Sequence, residues 1–246
     1  MKKSKQYFLL PLDLETTGFN GIQEVDGTLV NGADHFDIMQ IAYQIVDPVD
    51  MMPYLSNDYF IKLTDESLAR MSPSTRAFHD TVHDGSRISF NKLYGPAHKV
   101  SYAQAEAAII EALKQVLAVE DHTLEPYAYG QSYEIVLLGK SCQFDRDFLR
   151  AKMPNLSRYL SHRSFDVSVF VLATQMWTDM TYLQPSQASH LADDDCKAAM
   201  KDAALIKEYV TLMPSRVGKK DKFFSDRFAR FSKPFRIAAW LRNLFD

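Results

Sequence analysis

Asp13 and Glu15 stand two residues apart in LDLETTGF (12–19), behind the apolar run YFLLPL. In an extended strand, residues i and i+2 face the same way, so both carboxylates project together from a strand end. Two carboxylates that close repel each other, so one takes a proton or a cation sits between them. Hard divalent cations with oxygen ligands meet that need. Paired acids at a strand end are also often merely solvated, and a metal site needs more acids arriving from elsewhere. Asp145, near the start of FDRDFLRAKM (144–153), is one candidate; it is equally an acid placed to suit a helix N-terminus. The block His190-Leu-Ala-Asp-Asp-Asp195 is another, since His190 lies four residues from Asp194 and five from Asp195 and can share a helical face with one of them. Its plainer reading is a charged first turn that favours the helix dipole.

These groups depend on the elements that carry them. YFLLPLDLE (7–15), DIMQIAYQIVD (37–47) and DYFIKL (58–63) read as three neighbouring strands. NGIQEVDGTLVNGADH, between the first two, is rich in Gly, Asn and Asp and reads as an extended loop or small hairpin. Residues 66–79 are weakly helical, and SYAQAEAAIIEALKQVLAVE (101–120) strongly so, with Ser101 as N-cap. EIVLLGKS (134–141) is a compact strand running into a polar turn. FDVSVFVLATQMW (165–177) is a short strand turning to helix, and HLADDDCKAAMKDAALIKEYV (190–210) is a long amphipathic helix. Strands followed by alternating helix and strand predict an α/β architecture with a mixed sheet. Pro11 removes a ladder donor from a strand that should be central, so a bulge or an unpaired position is expected there.

The totals set the outer bounds. The chain has 246 residues, 46% of them hydrophobic, with a formal net charge of −3. That suffices for one sizeable domain and carries no global basicity of the kind a nucleic-acid binder can show. Cys142 and Cys196 have no metal-site spacing, which fits a reducing interior. MKKSKQYFLLPLDLE has a basic start and only a short apolar run, unlike a signal peptide, and no segment approaches the roughly 18 apolar residues of a membrane span. A cytoplasmic protein is the expectation. From Pro214 the composition changes: nine Lys or Arg face two Asp between Arg216 and Arg242, with Phe and Trp interleaved. Residues 1–213 are therefore expected as the main domain and 214–246 as an appendage. The appendage suits packing on the domain, on a membrane surface or on a partner, with contact to single-stranded nucleic acid as the second reading.

Taken in order, D-x-E on a first strand, Asp opening a helix, and H-x-A-x-x-D late in the chain resemble the DEDDh family of 3′-to-5′ exonucleases across most of residues 7–210. The resemblance implies a ribonuclease H-like mixed five-stranded sheet flanked by helices. It further implies that Asp13, Glu15, Asp145 and Asp195 hold two Mg²⁺ or Mn²⁺ ions and that His190 is the general base activating water. Asp195 is preferred to Asp194 because the family's five-residue step from His ends there. The chemistry is coherent: two ions about 4 Å apart activate water and stabilise a leaving 3′ oxygen, and a histidine near neutral pKa takes the proton.

Within the family, GKSCQFDRDFLRAKMPNLSRYLSHRSFDVS (139–168) resembles oligoribonuclease, which implies that Ser141, Arg163 and Ser168 cradle a terminal 5′ phosphate. The alternatives are that Ser168 caps the helix 169–177 and that Arg163 pairs with Asp166. His162 stands where oligoribonucleases carry a Tyr donated across a homodimer. RMSPSTRAFHD (70–80) lacks their Trp, for which Phe78 is the available substitute. Gln40 stands where the family often has Glu. ETTGF looks like the ribonuclease T branch, in which an aromatic at Phe19 stacks on the 3′ base; core filler is its alternative. Thr16 is counted with the substrate residues. The implied substrate is short or single-stranded RNA or DNA, RNA favoured, and a homodimer is implied by the oligoribonuclease likeness. The rivals are a DNA-directed exonuclease of the proofreading or repair type and a non-catalytic nucleic-acid-binding module on the same fold.

Overall fold

The computed structural model describes residues 5–84, 99–177 and 190–212. The chain opens with β1 (Gln6–Thr16), then a small antiparallel hairpin of β2 (Ile22–Val25) and β3 (Thr28–Asn31). There follow β4 (Ile38–Val46), β5 (Pro53–Phe60), β6 (Tyr133–Gly139) and β7 (Leu160–Asp166). The large sheet has the order β5-β4-β1-β6-β7, with β1 antiparallel to β4 and parallel to β6. The expected α/β fold with a mixed five-stranded sheet is thus the observed one.

β4 and β6 are buried along their whole length, as largely apolar strands covered on both faces should be, with Gln40, Gln44 and Glu134 buried among them. The parallel strands need crossovers, which the helices supply. Tyr102–Val119 precedes β6, and Gln143–Lys152 joins β6 to β7. Ser101 caps the first through a full capping box with Gln104. Its buried stripe, Ala105, Ile109, Ala112, Leu113 and Val116, follows helical spacing and joins the central core with Leu10, Leu12, Ile41 and Leu137.

One expectation needs correcting, and one is met in one of its two forms. The third strand is not 58–63 but Pro53–Phe60, with Ile61 left in a single bridge to Val100. β5 is an edge strand whose PYLSN half is largely exposed, so only its apolar end stood out in the sequence. At Pro11 the register is not broken. The ladder to β4 passes from Leu9↔Val46 to Leu12↔Tyr43 without pairs at Leu10 and Pro11, so the unpaired position is there but the bulge is not. The irregularity lies instead between Glu15 and Thr16.

Residues Met1–Ala204 make one compact unit; the second, Leu205–Asp246, is described only over its helical residues up to Leu212. The proposed appendage 214–246 lies outside the described residues. Among the described residues, no helix is long and apolar enough to cross a membrane.

Candidate active site

Asp13 and Glu15 lie at the C-terminal end of β1, opposite Ala42 and Gln40 of β4. The chain then turns sharply. Thr16 Oγ1 donates to the Gly18 carbonyl at 2.7 Å, and Thr17 Oγ1 accepts from the Asp37 amide at 2.8 Å. Gly18 has no room for a side chain, since a Cβ there would lie 2.4 Å from Phe36 Cγ. Thr16, assigned to substrate by resemblance, spends its hydroxyl on holding this turn. Phe19, directly after it, is 57% exposed rather than core filler.

Asp145 occupies the first turn of the helix Gln143–Lys152 and is buried. The backbone dipoles of its own amide and of Leu14 on β1 favour the ionised carboxylate. Gly139, ending β6, makes this approach possible: a Cβ there would meet the Leu12 carbonyl at 3.1 Å and Asp145 Oδ2 at 3.9 Å.

The third contribution comes from the helix Ala192–Leu212, which starts two residues later than expected. His190 lies before it in the left-handed region, φ +57°. Its backbone amide donates to Asp195 Oδ2 at 2.8 Å. Ala192 and Cys196 pack on Ala42, the β4 partner of Asp13, and the Ala192 amide donates to Gln40 Oε1 at 3.3 Å. The helix start is thereby pinned beside the β1 carboxylates. Asp195 is buried and Asp194 exposed, and ligand atoms of Glu15, His190 and Asp195 lie within 4.8 Å of one another. All five residues singled out from the sequence therefore arrive at one place.

The electrostatics match. Burial pushes Asp13 up to about 8, with repulsion from Asp195 adding and Lys140 opposing. Glu15 is raised well above the carboxylate range by burial and then by Asp13, Asp195 and Asp145. Asp145 is raised by burial and by Asp13. Acids held together at such cost fit an oxygen-ligated divalent cation, which would let them all ionise. In chemical type the donor set suits Mg²⁺ or Mn²⁺.

His79 was not foreseen. It is 2% exposed, with Nε2 3.7 Å from Glu15 Oε2. It lies on the helix Pro73–Asp84, part of a stretch that read from the sequence only as weakly helical, with no sign that this face meets β1. Beside it, Phe78 sets its ring edge-to-face against His190, centroids 4.5 Å apart at 84°. A cavity of about 440 Å³ opens here, lined by Glu15, Phe19, Phe78, His79, Phe144 and His190 among others.

The expected phosphate cradle comes together only in part. The Ser141 amide, at φ +58°, donates to Asp166 Oδ1 at 3.0 Å and to Ser168 Oγ at 3.4 Å. Asp166 also accepts from the Cys142 amide and from Ser168, and no ion pair with Arg163 is formed among the described residues. Arg163 is exposed on β7, and its charge acts on Glu134 at the start of β6. His162 shares a 2.8 Å hydrogen bond between Nδ1 and the Tyr127 hydroxyl.

No family model matches the chain. It is 26% identical over 196 residues to an oligoribonuclease of Corynebacterium diphtheriae, covering 79% of each chain. It is 26% identical over 194 residues to an oligoribonuclease of Francisella tularensis, covering 79% of this chain and 90% of that one. Among solved structures, the zinc-bound complex of E. coli exonuclease I with single-stranded DNA superposes with a TM-score of 0.51 at 14% identity, covering 92% of this chain and 43% of that one. The complex of the same enzyme with a dT13 oligonucleotide gives 0.50 at 15% identity, with 88% and 43% covered. The chain thus spans less than half the length of exonuclease I, and at such identities the likeness speaks for the fold.

Proposed function

We propose that this chain, whose sequence likeness and fold support its assignment to the DEDDh exonuclease superfamily, is a metal-dependent 3′-to-5′ exonuclease. Its substrate in this reading is short or single-stranded nucleic acid, RNA in the first place, and its products are nucleoside 5′-monophosphates. One observation carries the reading: Glu15, His190 and Asp195 present ligand atoms within 4.8 Å, with half-buried Asp13 and buried Asp145 beside them. The preference for RNA rests on the oligoribonuclease relatives.

Asp13, Glu15, Asp145 and Asp195 would hold two Mg²⁺ or Mn²⁺ ions, which when bound activate the attacking water and stabilise the leaving 3′ oxygen. His190 takes the water's proton; its ring is steadied by the edge of Phe78 and its backbone by Asp195. The water oxygen bonds to phosphorus as the bond to the 3′ oxygen breaks, and that oxygen leaves as a 3′ hydroxyl once protonated. Phe19 and Phe78 offer apolar faces on which the terminal base stacks.

The test is to incubate the protein with labelled single-stranded RNA and DNA oligomers of graded length, with Mg²⁺ or Mn²⁺. Stepwise shortening from the 3′ end, abolished by EDTA and by Asp13→Ala, is the expected result. Shortening that survives either, or none on any polymer, overturns the reading.

A further inference from the structure

Resting on that reading, we propose that Lys140 is a positioning residue that grips a phosphate of the bound strand at the Ser141–Ser168 corner of the site.

Lys140 follows Gly139, whose backbone abuts the Leu12 carbonyl and the Asp145 carboxylate, so the lysine stands at the rim of the acidic cluster. Its ammonium lies 3.3 Å from Asp202 Oδ2 on the helix Ala192–Leu212. The two side chains differ in exposure, 6% for Asp202 and 23% for Lys140. A buried carboxylate thus tethers a lysine side chain that is still partly exposed. Lys140 and Ser168 line one small cavity of about 130 Å³, and the next amide, of Ser141, donates to Ser168 Oγ. The lysine charge also reaches Asp13, where it opposes the repulsion among the acids. An ammonium with three rotatable donors suits a phosphate oxygen whose direction changes along a strand. Arg163, the cation expected in this place, acts on Glu134 instead.

The competing account is that Lys140 only neutralises buried Asp202. The two accounts separate in Lys140→Met, Lys140→Arg, Asp202→Asn and the double variant Lys140→Met/Asp202→Asn. Each is made in the His190→Asn background, so that a labelled short single-stranded RNA can be titrated with Mg²⁺ while turnover is slowed. Lys140→Met is expected to weaken binding about tenfold, and Lys140→Arg to keep most of the affinity. The slope of log affinity against log salt should flatten by about 0.7 for the lost single-strand phosphate contact. The double variant should regain thermal stability but not affinity. Wild-type affinity and salt slope in Lys140→Met, or affinity restored in the double variant, overturns the assignment. A wild type that shortens no polymer while the Lys140-dependent binding persists overturns the nuclease reading and supports this one.

Discussion

The backbone amide of His190 donates to the carboxylate of Asp195 at 2.8 Å, so the proposed base and a proposed metal ligand are locked together. The contact requires His190 at φ +57°, where Asn and Gly are tolerated and β-branched residues are strained. His190→Asn should therefore fold like the wild type and lose about 10²–10⁴ in kcat, the usual share of a general base. His190→Val should lose the same activity and also melt earlier. Paired kcat and melting measurements check both; equal melting of the two variants would count against the backbone constraint.

Asp13, Glu15 and Asp145 are all raised by burial and mutual repulsion. A carboxyl whose folded pKa exceeds its unfolded value binds its proton more tightly when folded. For Asp13, with an ordinary value of 3.8 and a folded value of about 8, the penalty is absent at acid pH and grows as pH rises between them. It is complete above about 8. Asp13→Asn removes this term, so without metal the variant should outlast the wild type at alkaline pH, and the gap should close toward pH 4. Mg²⁺ or Mn²⁺ should raise the wild-type melting temperature most at alkaline pH. Calorimetry across the pH range with and without metal reads all three effects.

Phe19 is exposed beside the cavity over Glu15, whereas Phe78 packs on His190. A stacked base is worth about 1–3 kcal/mol, or roughly 5- to 150-fold in affinity. Phe19→Ala should raise KM by that factor and leave the melting temperature unchanged. Phe78→Ala should also lower kcat, because the His190 ring loses its neighbour. Steady-state kinetics on one short RNA distinguish the two.

How far the site was legible follows from which interactions are local. Asp13 and Glu15 share a face by strand geometry, and Asp145 and Asp195 sit in first helical turns, so their types and spacing could be read along the chain. His79 could not, because its approach to Glu15 depends on how the helix Pro73–Asp84 meets the end of β1. The phosphate corner shows the same limit. The parallel register sets Gly139 opposite Asp166, so Lys140 and Ser141 meet Ser168, while Arg163 lies three residues back along β7. The edge strand β5 was misjudged, and the choice at Pro11 between a bulge and an unpaired position stayed open, for a related reason: both depend on which side of a strand has a neighbour.

Gln40 tests how the helix carrying Asp195 is anchored. Its Nε2 donates to Asp58 Oδ2 at 3.0 Å, while its Oε1 accepts from the Ala192 amide at 3.3 Å. Only an amide serves both, since a carboxylate in its place would set oxygen against the Asp58 oxygen. Gln40→Glu should cost about 1–3 kcal/mol at neutral pH, a fall of roughly 2–4 °C per kcal/mol for a chain of this size. Repulsion from Asp58 raises the new carboxyl's folded pKa, so its penalty disappears as the pH falls below that value. Gln40→Leu leaves the Ala192 amide unpaired at every pH, and its penalty should not move. Both should lower kcat, because the helix start that places His190 and Asp195 loses its hold on β4. Melting curves at acid and neutral pH separate the variants, and a Gln40→Glu penalty independent of pH would rule out the charge contact with Asp58.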